Sequence, residues 1–298
     1  MTLIVAPLLA QDAAHDRFRA IIKDVPLLAV ERIELNVTPP LEGISAVTAD
    51  KQGNLYVLHR PPAGDPVVVL DAKGKRLRSW GAGMFQIPHA IRLDPDGNVW
   101  TVDAHSSKVY KFTPAGKKLL EISVGGIPDP DLEFGGATDI AFTRNGKIFV
   151  TDGYANARII EYDAAGHRLN SWGKHGTGPG EFNLVHCIAV GPDDNLYVAD
   201  RENGRLQWFD QKGKFLGQFE FGGQFYNVAC GPNGELYGSI HPKGVSLDTE
   251  FNVVKIDRST GRIAGRFEVR SHELDVAPDG AILPATRSSL LVVYRPSK

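Results

Sequence analysis

The chain has little of what marks a nucleic-acid-binding, membrane-spanning or disulfide-framed protein. Its 298 residues carry 33 Lys and Arg against 35 Asp and Glu, a formal net charge of -2, so there is no basic footprint for nucleic acid. No apolar run is long enough to predict a membrane span. Only two cysteines, Cys187 and Cys230, are present, which argues against a disulfide-framed domain but does not decide whether the two pair. Helical periodicity is nearly absent after residue 25.

The sequence instead contains one motif that is repeated six times. Each copy is a short apolar run that ends in an Asp/Asn-Gly-type turn, followed by a second apolar run. The copies begin at Ser45, His89, Thr138, His186, Tyr226 and His272, and their turns fall at Gly53, Gly97, Gly146, Asp194, Gly234 and Gly280. The resulting period of 40 to 49 residues is typical of β-propeller blades.

The repeat therefore predicts an all-β, six-bladed β-propeller over residues 31–298, preceded by an N-terminal arm over 1–30. A strand over 33–37 is expected to complete the last blade and close the ring, which removes open sheet edges. A short helix is expected over 12–23, with Phe18 on its apolar side. The alternatives are a solenoid, which usually has a shorter repeat, and two packed sandwiches, which have no reason to repeat one motif.

Histidine occupies the same position in alternate copies. If the six copies close into a ring, His89, His186 and His272 lie about 120° apart and point at one axis. Three imidazoles with one open position form a typical catalytic zinc site, and the ligand type alone leaves copper, iron and manganese open. The alternative is three polar side chains that line a water-filled channel.

The segments that follow the second strands are expected to share the face of the histidines, because antiparallel strands return to the same side. They bring Tyr154, Arg60 and Arg201 to that face. Arg60 and Arg201 could hold a substrate carboxylate or form surface ion pairs. Three aspartates that end second strands are expected to brace turns: Asp103, Asp152 and Asp200.

Two further expectations concern a cysteine and the N-terminus. Cys187 is predicted to be a buried thiol whose side chain faces away from His186, because strand residues alternate in direction. Residues 1–10 are apolar and end like a signal peptide, without a basic region before them. They are interpreted as a clipped leader, a mis-set start or a disordered arm, and they favour a periplasmic or secreted protein over a cytoplasmic one.

Several segments resemble the peptidyl-α-hydroxyglycine α-amidating lyases among the NHL-repeat propellers. The resemblance covers about residues 43 to 298 and rests on five segments, which are 58–60 (LHR), 87–91 (IPHAI), 152–159 (DGYANARI), 181–186 (EFNLVH) and 199–205 (ADRENGR). It implies that His89, His186 and His272 bind zinc, that Tyr154 is catalytic, and that Arg60 and Arg201 are the active-site arginines. It also implies a structural calcium held by the carbonyls of Val47 and Ile91 and by the side chain of Glu273.

The sequence departs from the family pattern in places. Glu273 stands where the family has an aspartate, and Ala155 and Trp208 stand where it has disulfide cysteines. The metal site is thus better supported than specificity for peptides.

The resemblance implies a metal-dependent lyase that acts on a small or peptide-derived substrate with a carboxylate, releasing an amide and glyoxylate. The alternatives are a metal-dependent hydrolase of lactones or esters, which should tolerate Tyr154→Phe, and a non-enzymatic binding scaffold. The sequence predicts no oligomeric state.

Overall fold

A computed structural model describes residues 15–126, 131–246 and 249–297. Within these ranges, 24 strands form six antiparallel four-stranded sheets, which confirms the six-bladed propeller. The strands of blades 1 to 3 are β2 (Ala46–Ala49), β3 (Leu55–Leu58), β4 (Val67–Leu70), β5 (Arg76–Trp80), β6 (Pro88–Leu93), β7 (Val99–Asp103), β8 (Lys108–Phe112), β9 (Lys118–Ser123), β10 (Asp139–Phe142), β11 (Ile148–Asp152), β12 (Arg158–Tyr162) and β13 (Arg168–Trp172). Those of blades 4 to 6 are β14 (Val185–Val190), β15 (Leu196–Asp200), β16 (Arg205–Phe209), β17 (Phe215–Glu220), β18 (Gln224–Cys230), β19 (Leu236–His241), β20 (Asn252–Ile256), β21 (Ile263–Glu268), β22 (Glu273–Val276), β23 (Ile282–Ala285), β24 (Leu291–Pro296) and β1 (Val30–Leu35).

The ring closes through the first strands and through blade 6. The first strands pack against one another in the cyclic order β2, β6, β10, β14, β18, β22 and back to β2. In blade 6 the strand order is β1-β24-β23-β22, with Ile33 opposite Val293. The predicted closing strand is confirmed, although it spans Val30–Leu35 instead of 33–37. Both β1 and β24, from opposite ends of the chain, belong to this sheet. The closing strand gives blade 6 the same number of strands as the other five blades.

The apolar core is divided into six clusters, each between two neighbouring blades. The cluster that joins the ends of the ring packs Val57 and Leu70 of blade 1 against Leu283 and Leu291 of blade 6. All four residues are at most 1% exposed, and burying each side chain contributes roughly 1.5–3 kcal/mol. Because every blade shares its core with both neighbours, the positions of the first strands around the axis are fixed.

The turn chemistry explains the repeat seen in the sequence. In blade 2 the Asp94 carboxylate accepts hydrogen bonds from the backbone N–H groups of Asp96 and Asn98 at 3.1 and 2.8 Å. Gly97 follows at φ +82°, in the left-handed region that glycine adopts without steric cost. Blade 4 has Asp194 at this position with φ +59°, and aspartate is one of the few other residues that tolerate it.

A helix over residues 15–22 anchors the N-terminal arm to the ring. Phe18 is fully buried in the cluster between blades 4 and 5, beside Phe221 and Phe225. The predicted helix is confirmed over 15–22, whereas residues 1–14, with the apolar segment 1–10, lie outside the described residues. No helix among the described residues is long and apolar enough to cross a membrane.

Candidate metal centre

The three histidines of the repeat meet at the axis of the ring. His89 lies in β6, His186 in β14, and His272 immediately precedes β22. The centroid of the His89 ring is 5.2 Å from that of His186 and 5.1 Å from that of His272, and the last two are 4.8 Å apart. His89 and His186 are fully buried. The sequence prediction that alternate blades bring their histidines together is confirmed in its geometry.

Bulges in the inner strands aim two of these side chains. In β6 the register passes from Pro88 to Ala90, so that His89 has no partner residue on β7. In β14 the register passes in the same way from Val185 to Cys187 and leaves out His186. A bulge turns its extra residue out of the normal alternation. The side chains of His89 and His186 thereby come together with each other and with His272.

Hydrogen bonds to backbone carbonyls fix the orientation of the first two rings. Nδ1 of His89 lies 2.7 Å from the carbonyl oxygen of Thr138, and Nδ1 of His186 lies 2.8 Å from that of Tyr226. An Nδ1 that faces a carbonyl carries the proton, which leaves the lone pair on Nε2. Burial lowers the pKa of all three histidines well below the usual value, so the imidazoles are neutral.

The hydroxyl of Tyr154 lies at the point where the Nε2 atoms converge. It is 2.8 Å from Nε2 of His89 and 3.4 Å from Nε2 of His186. Tyr154 follows β11, two residues after Asp152, on the face that the antiparallel topology predicts. Burial raises the pKa of Tyr154 to about 12, although Arg201, Arg287 and Arg60 oppose the shift. The phenol is therefore protonated at neutral pH.

Arg60 has hydrogen-bond partners at Nε but none at Nη2 among the described residues. Its Nε donates to Ser45 Oγ at 3.1 Å and to the Pro88 carbonyl at 3.0 Å. Its Nη2 is buried without a hydrogen-bond partner among the described residues. Burial, together with the nearby charge of Arg287, lowers the pKa of Arg60 to about 10, so the guanidinium stays charged. A buried cation with an unpaired donor is a binding point for an anion.

Arg287 belongs to the same group and was not assigned a role from the sequence. Its Nη2 donates to Nε2 of His272 at 2.9 Å, and its Nε is buried without a partner among the described residues. Burial lowers the pKa of Arg287. An ion held by His272 Nε2 requires this guanidinium to turn aside. The signal for Arg287 was present in the repeat, because it stands two residues after β23, as Arg60 stands two residues after β3.

Arg201 lies at the edge of the group, where it has partners of its own. Its Nε donates to Glu202 at 2.9 Å, and its guanidinium carbon is 5.0 Å from the centre of the Tyr226 ring. Arg201 is the first of the charges that lower the pKa of Tyr154. Its effect on the centre is thus electrostatic, while its hydrogen-bonding capacity is partly used.

The residues of the centre fit a zinc ion. Zinc binds neutral imidazole nitrogens, and carbonyls that hold the opposite ring nitrogen orient such ligands. His89 and His186 have this arrangement through Thr138 and Tyr226. The ligand atoms of His89, His186, His272 and Glu273 all lie within 4.8 Å of one another. This group of side chains could hold a metal ion.

The residues at the predicted calcium position do not fit calcium. Nη1 of Arg92 donates to the carbonyl of Ile91 at 3.3 Å, and its Nη2 donates to Glu273 at 3.1 Å. A guanidinium thus contacts two of the three groups predicted to bind the ion. Val47, the third, is buried in β2. The predicted calcium position is therefore occupied by a cation that belongs to the chain.

Cys187 is buried as predicted, but its direction was predicted wrongly. Its thiol lies 2.9 Å from the Asp139 carboxylate and 3.0 Å from Oδ1 of Asn227, in the same polar cluster as Glu273. The bulge at His186 breaks the alternation on which the prediction depended. Cys187 and Cys230 are both free thiols.

Asp103 and Asp200 accept hydrogen bonds from backbone N–H groups, as predicted, whereas Asp152 accepts from the side chains of Asn156 and Arg158. Asp103 accepts hydrogen bonds from the backbone N–H groups of Gln86 and Ile87 at 2.6 and 3.0 Å. Asp152 pairs with Arg158 at 2.7 Å, and Asp200 pairs with Arg205 at 2.7 Å. These carboxylates hold the loops that carry Tyr154 and Arg201.

The chain is similar in sequence to known β-propeller proteins and amidating lyases. A sequence family described as a 6-bladed beta-propeller matches residues 130–277. The chain is 30% identical over 254 residues to peptidyl-alpha-hydroxyglycine alpha-amidating lyase 1 of Drosophila melanogaster, covering 68% of this chain and 47% of that protein. It is 30% identical over 232 residues to a probable lyase of the same name from Caenorhabditis elegans, covering 72% of this chain and 65% of that protein.

The chain is an amidating-lyase-like β-propeller. It is also 34% identical over 198 residues to peptidyl-glycine alpha-amidating monooxygenase of Mus musculus, covering 56% of this chain but only 20% of that protein. The solved structure of a streptogramin B lyase superimposes with a TM-score of 0.64 over 90% of this chain and 98% of that chain, at 15% identity. That likeness shows the fold of this amidating-lyase-like chain and nothing further.

Proposed function

We propose that the chain is a metal-dependent lyase that cleaves a carbinolamide, R–CO–NH–CH(OH)–COO⁻, to an amide and glyoxylate. The observation that carries the proposal is the contact of one tyrosine hydroxyl, that of Tyr154, with two converging imidazole Nε2 atoms. Beside them lie two half-buried arginines, each with a buried, unpaired nitrogen. The names of the similar proteins, which are amidating lyases, support it.

His89, His186 and His272 are the residues that would hold the metal, with zinc as the first choice because three neutral imidazoles suit it. When bound, zinc supplies Lewis acidity, which lowers the pKa of an oxygen acid and stabilises developing negative charge on that oxygen. The protein contributes the fixed tautomers, through the carbonyls of Thr138 and Tyr226. It also contributes the burial of His89 and His186, which keeps these imidazoles neutral.

The reaction moves one proton. The O–H bond of the substrate hydroxyl and the C–N bond break, an aldehyde C=O bond forms, and the amide nitrogen gains a proton. Tyr154 is protonated at rest, so it can donate to the departing nitrogen while it regains a proton from the hydroxyl. The tyrosine ends as it began, and no other acid or base is needed.

The substrate carboxylate fits the arginines. Arg60 offers an unpaired Nη2 and Arg287 an unpaired Nε. Burial and repulsion by the charge of Arg287 both lower the pKa of Arg60. A carboxylate placed between them relieves this repulsion and accepts both donors. Arg201, whose Nε is already bonded to Glu202, adds positive potential at Tyr154. These contacts would orient the scissile C–N bond.

Glyoxylate release tests the proposal. Purified protein loaded with zinc, with its metal content measured, is incubated with an N-acyl-α-hydroxyglycine, and glyoxylate is measured against a protein-free control. We expect release well above the spontaneous rate. No release from fully loaded protein would overturn the lyase. Hydrolysis of esters or lactones that survives Tyr154→Phe would replace it with the hydrolase.

Metal content tests the ligand assignment separately. His186→Ala should lose the bound ion, as shown by elemental analysis, while circular dichroism still reports the β-propeller. The control is His167→Ala, because that side chain is 78% exposed and pairs with Asp163. Retention of a full equivalent of metal in His186→Ala would contradict the assignment.

A further inference from the structure

A buried arginine ties three blades together below the histidines. Arg92, in β6 of blade 2, donates from Nη2 to Asp139 of blade 3 at 2.9 Å and to Glu273 of blade 6 at 3.1 Å. Both carboxylates are fully buried, and the Arg92 side chain is 11% exposed. Nη1 of the same guanidinium reaches the carbonyl of Ile91 at 3.3 Å.

This cluster is continuous with the metal centre but lies on the opposite side of the rings. Oε1 of Glu273 is 3.7 Å from Nδ1 of His89 and 3.6 Å from Nδ1 of His186. Tyr154, by contrast, contacts the Nε2 atoms of these rings. Arg92 therefore holds in place the carboxylate of Glu273, which lies close to the Nδ1 atoms of His89 and His186.

The polar groups of the cluster are arranged around a donor-rich cation. The thiol of Cys187 donates to Asp139 at 2.9 Å, and Nδ2 of Asn227 donates to Glu273 at 3.1 Å. Calcium takes six to eight oxygen ligands at about 2.3–2.6 Å, and a thiol is a poor ligand for it. Oδ2 of Asp139 and Oε2 of Glu273 already accept hydrogen bonds from Arg92. Oδ1 of Asp139 and Oε1 of Glu273 are buried without a partner among the described residues, and two such oxygens are too few for a calcium shell.

We propose that Arg92 is a built-in cation that replaces a structural calcium ion at the hub of this propeller. The guanidinium places one positive charge between the carboxylates of Asp139 and Glu273 and donates to the Ile91 carbonyl, three groups from three blades. It is covalently attached, so chelators cannot remove it. The hub of this chain is therefore independent of calcium, whereas the zinc-type centre above it still depends on its metal.

Calcium titration of metal-stripped protein tests this. The full chain is treated with chelator, dialysed, and titrated separately with calcium chloride and zinc chloride while Tm is followed. We expect no shift of Tm with calcium, and less than stoichiometric calcium in protein purified from calcium-containing buffer. A saturable rise of Tm with one equivalent of calcium, or one equivalent of calcium retained on purification, would overturn the proposal.

Removing the Arg92 guanidinium should make the stability of the propeller depend on calcium. Arg92→Ala leaves two buried carboxylates without their cation, and we expect a fall in Tm of roughly 10 °C in calcium-free buffer. Added calcium should restore part of the loss. Arg92→Lys keeps the positive charge but not the several N–H donors of the guanidinium, so its Tm should lie between those of the wild type and Arg92→Ala. It also provides the test if Arg92→Ala does not fold. A Tm equal to that of the wild type in both variants would contradict the role.

The control is Arg295→Ala. Arg295 also pairs with a carboxylate, that of Asp279 at 2.7 Å, but both side chains are nearly half exposed. Exposed pairs contribute little, so this variant should hold its Tm with or without calcium. The zinc arm of the titration and the glyoxylate assay report on the proposed lyase, and either can fail without affecting the calcium result.

Discussion

Gly153 and Val185 are in contact across the boundary between blades 3 and 4. A Cβ atom added to Gly153 would collide with the carbonyl oxygen and carbon of Val185. Gly153 immediately precedes Tyr154, and Val185 immediately precedes His186. The absence of a side chain at one residue therefore sets the separation between the candidate proton carrier and a candidate metal ligand.

Gly153→Ala should impair activity and stability together. Backbone must move to admit the methyl group, and overpacking of this kind costs about 1–3 kcal/mol. We expect a lower Tm and a fall in kcat/KM, because the Tyr154 hydroxyl is displaced from the Nε2 atoms. Gly178→Ala is the control, since its added Cβ would meet only the Glu181 side chain, at 3.1 Å. Wild-type kcat/KM and Tm in Gly153→Ala would show that the contact does not constrain the centre.

Tyr154→Phe should abolish most of the activity without loss of metal. The substitution removes the hydroxyl that lies 2.8 Å from His89 Nε2, and loss of a positioned acid–base group costs about 100- to 10,000-fold in rate. Glyoxylate release and zinc content are measured on the same preparation. Tyr162→Phe is the control, because Tyr162 is buried in the same blade but packs in an apolar cluster. A rate within a few-fold of wild type would remove Tyr154 from the reaction.

The sequence was sufficient to predict the ring and the meeting of the histidines. Both follow from symmetry, because a motif repeated six times at a fixed period places equivalent residues at equal angles around an axis. The face that carries Tyr154 and Arg60 followed from the antiparallel order of the strands. None of these inferences required knowledge of side-chain conformation.

The prediction failed where local backbone irregularity or a long flexible side chain decides the outcome. The bulge at His186 brings the thiol of Cys187 into the polar cluster with Asp139. The periodicity of the sequence does not indicate where a bulge occurs. The side chain of Arg92 spans three blades, which depends on its rotamer and on partners distant in sequence. Arg287, by contrast, could have been found, since it occupies the same position after its strand as Arg60 and Tyr154.

Arg287→Ala should raise KM more than it lowers kcat. If Arg287 binds the carboxylate in the ground state and the transition state alike, its loss weakens binding of both. A charged hydrogen bond contributes about 1.5–3 kcal/mol, so kcat/KM should fall roughly 10- to 150-fold. Arg287→Lys should recover part of the loss because it keeps the charge. A fall in kcat at unchanged KM would place Arg287 in the proton chemistry instead.

The metal-free propeller should lose stability as the pH falls below 6.5. Burial lowers the pKa of His89, His186 and His272 in the folded chain, so below pH 6.5 the unfolded chain binds protons that the folded chain does not. The free energy of unfolding then falls with pH by up to about 1.4 kcal/mol per pH unit for each histidine. The stability is therefore highest above the pKa that histidine has in the unfolded chain, and it is lost on acidification.

Urea unfolding of chelator-treated protein at pH 7.5 and 5.5 measures this loss. His186→Ala removes one of the three groups, so the difference in unfolding free energy between the two pH values should be smaller than in the wild type. His175→Ala is the control, because that side chain is exposed. If His186→Ala and wild type lose the same free energy between the two pH values, His186 is not held neutral by burial. Saturating zinc should reduce the loss, since an ion that binds only the folded, neutral imidazoles stabilises that state.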